Sequence, residues 1–395
     1  MAAREIPDLK TLLASRRGGG LRGRGRGRGG LTASSPGGSE TIKDSAVRGT
    51  DQDAAGSRVS CVELGYLNDA YASLFATQSS TRRLPLLNRG TYVRTSAIDQ
   101  LVNSFLKVQP NAPKQIISLG AGTDTRYFRL RDAYPSTTIL YHEIDFPTNT
   151  AAKLNSIRRH AQLYEKLLLS THPLPPPQSS SYHSPTYNLH ALDLRSLTTT
   201  TTSSSSSSSS SPPETTPSPQ LPQLPNLDPN LPTLILSEMC LIYLQPSAVS
   251  TIIQKFTTHY LSPSTPASLI LYEPILPNDA FGRTMISNLA TRNIHLPTLT
   301  AYPELGDQRA RLKQYGFVAG AKAADTEFIW REWVSAEEKE RVAGLEMLDE
   351  LEELDLLLRH YCVAWGYRDG ATGGDDDDAH GNIFSQAWAH VKEQG

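Results

Sequence analysis

The sequence predicts an α/β fold built on a mostly parallel, seven-stranded sheet, with an all-helical segment ahead of it. Two observations carry this. A β-branched apolar run, Gln115–Leu119, feeds directly into Gly120-Ala121-Gly122, and a second run ends in an acid at Asp145. Further apolar runs then alternate with helical stretches, and strand–helix–strand in repetition means parallel strands with helices on both faces. The layout is Rossmann-like, with glycines where backbone must approach a ligand and an acid at the next strand tip.

The elements follow in order. Residues 1–45 are expected to be disordered, because Arg16 to Gly30 is almost pure Arg and Gly and has nothing to bury. A solvated extension is preferred there over an RNA-binding tail. Between 46 and 114, Tyr66, Leu67, Ala70, Tyr71, Leu74 and Phe75 recur at helical spacing, as do Ala97, Ile98, Leu101, Val102, Phe105 and Leu106. This segment is read as a helical lid. The core is expected over 115–334, with strands at 115–119, 138–144, 188–193, 233–239 and 268–273. Helices are expected at 125–133, 147–168 and 247–260. Segments at Phe317-Val318 and Phe328–Trp333 would supply the last two strands. The stretches 171–186 and 196–231 are rich in Pro, Ser and Thr and are read as surface-loop insertions, which cost little loop-closure entropy. From Ser335 to 395 a C-terminal helix and tail are expected. Ser335 and Glu338 form a capping box, and Val342, Leu345, Leu348, Leu351, Leu354, Leu358 and Tyr361 mark one face. The Asp375–Asp378 run is read as solvated rather than as a metal site.

Composition excludes several classes. A net charge of −2 gives no reason to expect a nucleic-acid or acidic partner. Cys61, Cys240 and Cys362 have no metal or redox spacing, and three cannot all pair. They indicate a reduced chain, cytoplasmic or also nuclear. No apolar run reaches the length of a membrane span, and Met1 to Ser15 lacks a signal peptide's apolar segment. One core with a helical lid gives no reason to expect more than a monomer.

The glycine turn narrows the chemistry. Position 125 is Thr, so the third glycine that a dinucleotide pyrophosphate demands is missing, which disfavours NAD and FAD. A phosphate-free cofactor, S-adenosylmethionine, fits better. Asp145 is placed for the ribose diol, and Asp193-Leu194 for the adenine amine and ring face. Glu238 stands at the mouth of the sheet, and Arg94 or Arg58 is placed to hold the methionine carboxylate by bidentate bonds. Each acid has a structural alternative: Asp145 and Asp193 as helix caps, Glu238 as an arginine partner. Tyr243 is a weak candidate for touching the substrate carboxylate, against the alternative of a buried aromatic at a strand end.

These residues resemble the leucine carboxyl methyltransferases, class I S-adenosylmethionine-dependent enzymes. The likeness runs through Val47-Arg-Gly-Thr-Asp51, Gly65-Tyr66, Asn88–Arg94, Leu119–Thr125, Glu143-Ile-Asp-Phe-Pro147, Asp193-Leu-Arg195, Leu236–Cys240, Phe281-Gly282 and Leu357–Trp365, covering roughly 45–368 apart from the insertions. The resemblance implies cofactor contacts at Arg58, Arg94, Gly120, Asp145, Asp193, Leu194 and Glu238, with Gly122 completing the turn; other members carry Lys at the first position. It implies methyl-esterification of the C-terminal leucine of the protein phosphatase 2A catalytic subunit. A sister group methylates a modified tRNA base and carries an added β-propeller, for which no propeller-length extension is seen here. Methylation of a small molecule, or an inactive phosphatase-binding module, are the remaining alternatives.

Overall fold

Backbone groups inside a sheet must be paired, and side chains on both its faces must be covered. Both requirements are visible strand by strand. The computed structural model describes residues 36–77, 81–167, 173–198, 221–370 and 382–395. Eight strands form one sheet: β1 (Lys114–Leu119), β2 (Ile139–Asp145), β3 (Tyr182–His183), β4 (Tyr187–Ala191), β5 (Thr233–Glu238), β6 (Ala267–Pro274), β7 (Gly320–Asp325) and β8 (Tyr361–Arg368). Their order is β3-β4-β2-β1-β5-β6-β8-β7. The five from β4 to β6 are parallel, and β3, β8 and β7 run antiparallel to their neighbours.

The longer helices among the described residues are α1 (Pro36–Glu63), α2 (Pro85–Lys107), α3 (Arg126–Ala133), α4 (Pro147–Arg159), α5 (Pro246–Lys255), α6 (Ala280–Ala290), α7 (Leu305–Gln314), α8 (Ala336–Ala343) and α9 (Leu351–Arg359). Every residue of β1, β2 and β6 is buried, the mark of a sheet covered on both faces. Alternation along β1 sends Ile116 into a core with α2, α9 and β8, and Ile117 and Leu119 into a second core with α5 and α7. Strand order reverses at β1, with β2 and β4 to one side and β5 and β6 to the other. Ligands of open α/β sheets bind at such a reversal, beyond the carboxyl ends of the strands.

Four expectations need correction. The sheet has eight strands rather than seven: β3 lies within 171–186, where a loop insertion was expected, and its Tyr182 is buried. The strand expected at 317–318 starts instead at Gly320, and 326–332 is a short helix because the Asp325 side chain accepts the Phe328 N–H as its N-cap. The C-terminal helix is broken. Ser335 accepts from the Glu338 N–H, but the Glu338 carboxylate turns to Arg341 and Tyr92 rather than back to the cap. The helix ends at Gly344, α9 follows separately, and Tyr361–Arg368 inserts as β8 between β6 and β7. Lastly, α1 starts at Pro36, inside the stretch expected to be disordered. The Arg-Gly run, residues 199–220 and the Asp375–Asp378 run lie outside the described residues.

Candidate active site

The glycine turn exists because the chain reverses within three residues beyond β1. Gly120 has φ +64° and Gly122 φ +43°, the left-handed region that L side chains resist. A Cβ on Gly120 would sit 2.5 Å from the Cys240 Sγ, and one on Gly122 would sit 2.2 Å from the Asp51 Oδ1. The turn is pinned to the next strand, since Gly120 N–H donates to the Ile144 carbonyl at 2.8 Å. Gly122 N–H donates to Asp145 Oδ2 at 2.7 Å. Asp145 is therefore beside the glycine turn, at the tip of the adjacent strand.

A cavity of about 970 Å³ opens over these tips. Arg58, Arg94, Gly120, Gly122, Asp145, Asp193, Leu194, Glu238 and Tyr243 all line it. Each acid also keeps a partner from the chain. Asp145 Oδ1 accepts from Phe146 N–H at 2.6 Å and from Asn149 Nδ2 at 3.0 Å. With the Gly122 bond that makes three donors, leaving room for about one more on a carboxylate. Burial raises its pKa, and the Gly122 and Phe146 N–H bonds offset only part of that. Asp193 caps the following turn and is gripped by Arg195 through Nε and Nη2. Glu238 lies between Arg94 Nε at 2.5 Å and Arg126 Nη2 at 3.4 Å. The structural roles are thus present in all three acids, alongside their place on the cavity wall.

The two arginines have spare donors. Arg58 uses Nε on Asp69 at 2.5 Å, and Arg94 uses Nε on Glu238 while its guanidinium lies 4.8 Å over the Tyr272 ring. Both Nη atoms of Arg94 and the Nη2 of Arg58 bond nothing among the described residues. Two cationic forks thus face one cavity with donors free for a carboxylate. The residues fit an adenosyl sulfonium amino acid. Arg58 and Arg94 would hold its carboxylate, Asp145 its ribose, and Asp193 with the apolar wall of Leu192 and Leu194 its base.

Sequence reasoning missed how much α1 contributes. Its Asp44 pairs with Arg195 beyond β4, at 3.0 and 2.7 Å. Arg48 stacks at 5.7 Å on Phe146 beyond β2. Asp51 Oδ1 accepts from Thr123 N–H at 2.7 Å and from Thr123 Oγ1 at 2.8 Å, beyond β1. Asp53 pairs with Arg292 beyond α6. One helix thus touches three of the strand tips that form the cavity. The signal was present in Val47–Asp51, but a polar helix has no apolar stripe to announce its docking face.

Beyond the strand tips the cavity wall also carries apolar side chains, beside the charged Glu352 and Glu353 of α9. Leu86 and Leu87 of α2, Met285 and Leu289 of α6, Leu356 and Leu357 of α9, and Tyr361 line it. No histidine lines it among the described residues. Burial holds the Tyr243 hydroxyl and the Cys240 thiol above their ordinary values, so both stay protonated near neutrality. No group of ≥3 His, Cys, Asp or Glu among the described residues is arranged to hold a metal, and no helix among them is long and apolar enough to cross a membrane.

Comparison with known proteins agrees with this geometry. Residues 46–201 match the family model described as leucine carboxyl methyltransferase. The chain is 51% identical over 388 residues to leucine carboxyl methyltransferase 1 of Aspergillus fumigatus, covering 95% of this chain and 96% of that one. It is 50% identical to the Emericella nidulans protein of the same name, over 94% and 96% of the two chains. A homolog from Arabidopsis thaliana is 34% identical over 82% and 90%. Among solved structures, a Haemonchus contortus phosphoethanolamine N-methyltransferase 2 in complex with S-adenosyl-L-methionine matches at 11% identity and TM-score 0.36, over 75% of this chain and 55% of that one, too distant to carry the reading further. A glycine turn, a strand-tip acid and two open arginine forks on one cavity, together with relatives matched along nearly their whole length, place this chain in the leucine carboxyl methyltransferase family.

Proposed function

We propose that this enzyme uses S-adenosylmethionine to methylate the α-carboxylate of the C-terminal leucine of the protein phosphatase 2A catalytic subunit. The observation that carries the reading is one continuous cavity. Its inner end has the glycine turn, Asp145 and the two arginine forks, and its wall continues onto α2, α6 and α9, whose apolar side chains suit a leucine-ended tail.

When bound, the sulfonium supplies an electrophilic methyl group. The chain's residues then have three tasks. Arg58 and Arg94 orient the cofactor's carboxylate, and Asp145 its ribose. The apolar side chains of that wall remove water from the acceptor. Tyr243, a neutral donor, is available to orient the acceptor carboxylate without taking a proton from it. A terminal carboxyl has a pKa of about 3.5 and is already ionised at neutral pH. It needs no general base. Alignment alone can account for roughly 7–11 kcal/mol of barrier.

Helix α1 serves as a lid in this reading, because it bonds to the strand tips while lining the same cavity. The test is transfer of labelled methyl to a peptide copying the phosphatase tail. The free-acid peptide is methylated and its C-terminal amide is not. Equal labelling of both would refute the assignment.

A further inference from the structure

His360, the residue after α9, is almost fully buried, at 1% exposure, and lies just behind the cavity wall. Its Nδ1 is 2.7 Å from the Leu356 carbonyl oxygen. Its Nε2 is 2.9 Å from both Oδ1 and Oδ2 of Asp279. A carbonyl only accepts hydrogen bonds, and so does an ionised carboxylate. Burial raises the Asp279 carboxyl, but the Gly282 N–H and His360 outweigh that and hold it below its ordinary value, so it is ionised. The ring therefore bridges the Leu356 carbonyl and the Asp279 carboxylate.

The pair joins two helix ends. Inside a helix the Leu356 carbonyl would bond the N–H of His360, but that N–H goes to Leu357 instead. The carbonyl at the C-terminal end of α9 is taken by the imidazole ring. Asp279 is the N-cap of α6, accepting from Gly282 N–H at 2.7 Å, so the negative charge sits at a helix N-terminus. Phe281 stacks against the imidazole at 4.3 Å between centroids. The His360 carbonyl also accepts from Ile275 N–H at 2.9 Å, fixing the junction to the end of β6. The two helices so joined both line the cavity, α6 through Thr284, Met285 and Leu289, and α9 through Glu352, Glu353, Leu356 and Leu357.

We propose that His360, bridging the end of α9 to Asp279 at the start of α6, is a positioning residue for the acceptor: it sets α6 against α9 and so shapes the wall on which the peptide's last residues dock. This rests on the reading of that wall as the acceptor site. His360 does not line the cavity and acts only through Asp279, Phe281 and the two helices.

The test separates the acceptor from the cofactor. H360Q replaces the ring that bridges Leu356 and Asp279 with a flexible amide. It is expected to raise the KM for a leucine-ended peptide about tenfold while the Kd for S-adenosylmethionine stays within twofold. D279N is expected to raise the same KM, and H360Q/D279N to be no worse than the poorer single variant, because both substitutions break one clamp. An unchanged KM in H360Q, or a KM and a cofactor Kd that rise together, overturns the proposal. Nitrogen-15 NMR of the intact wild-type protein at pH 7 reads the ring directly. A ring N–H at His360 held in a hydrogen bond and slow to exchange is expected, and a ring whose N–H exchanges freely with solvent overturns the proposal even if the variants fail to fold. A wild-type enzyme that methylates no leucine-ended peptide would defeat the acceptor reading instead, and the NMR result would still decide the state of the clamp.

Discussion

Replacing Asp51 by alanine tests how α1 is held over the cavity. None of residues 42–54 is buried, and Ala55 is the first buried residue whose side chain is described in α1. Hydrophobic burial therefore contributes little along that half, and its docking rests on polar contacts. Asp51 makes two hydrogen bonds to Thr123, at 2.7 and 2.8 Å. Bonds to a charged group are worth about 1.5–3 kcal/mol each when well buried. Asp51 is only half-buried, so about 2 kcal/mol for the pair is the reasonable total. If the closed helix encloses the cofactor, that loss weakens binding about 30-fold. Asn keeps an acceptor for the Thr123 N–H and loses the charge, so D51N should lose about 1 kcal/mol, or roughly fivefold. Calorimetry gives the affinity, and stopped-flow displacement should place most of the change in the dissociation rate. The melting temperature should change little, since the segment opens locally. Wild-type affinity and dissociation rate in D51A would refute the lid argument.

Three further outcomes follow from the same geometry. Arg94→Ala removes a fork whose two Nη atoms bond nothing among the described residues, and should weaken cofactor binding by roughly 10- to 100-fold, the equivalent of about 1.5–3 kcal/mol. R94K should recover only part of this, because a lysine cannot form the bidentate pair, and calorimetry distinguishes the three proteins. Gly120→Ala should abolish cofactor binding, since its Cβ would meet Cys240 Sγ at 2.5 Å and Cys240 Cβ at 2.7 Å on a φ of +64°. Adding C240A removes only the first clash, so a fully restored double variant would show the turn to be more tolerant than argued. Glu143, fully buried between Lys153 and Tyr187, has its carboxyl raised by burial to about 7 from 4.5. The folded state then binds the extra proton between those values. Glu143 contributes stability that is complete below about pH 4.5 and lost as pH rises through about 7. The stability of the wild type relative to E143Q should fall across that window by on the order of 3 kcal/mol in denaturant titrations; a flat difference would contradict the burial argument.

Much of the central sheet was legible because β1, β2, β5 and β6 are covered on both faces and so read as unbroken apolar runs. The glycine turn and Asp145 stood out for the same reason, at the ends of two such runs. β7 did not, because Gly320-Ala-Lys-Ala-Ala-Asp325 is an edge strand with half its residues only partly buried and no β-branched residue. β8 was hidden behind α9, whose leucine spacing runs up to Tyr361 and hides where the period changes. In the site, residues attached to a glycine turn or a strand end could be chosen from spacing. The partners that fix them could not. Asp51 meets Thr123 across 72 positions, and His360 meets Asp279 across 81, and no local pattern signals such pairs.

The most direct test of the account is calorimetric titration with S-adenosylmethionine, comparing wild type with D145N. In D145N an amide NH₂ must face one of the N–H donors that Asp145 now accepts, Gly122 or Phe146. The account predicts saturable one-site binding by the wild type and a loss of at least tenfold in D145N, consistent with about 1–3 kcal/mol for a buried donor left without a partner. Wild-type protein that ignores the ligand, or D145N that binds it equally well, would contradict the claim that the glycine turn and this strand-tip acid jointly form the cofactor site.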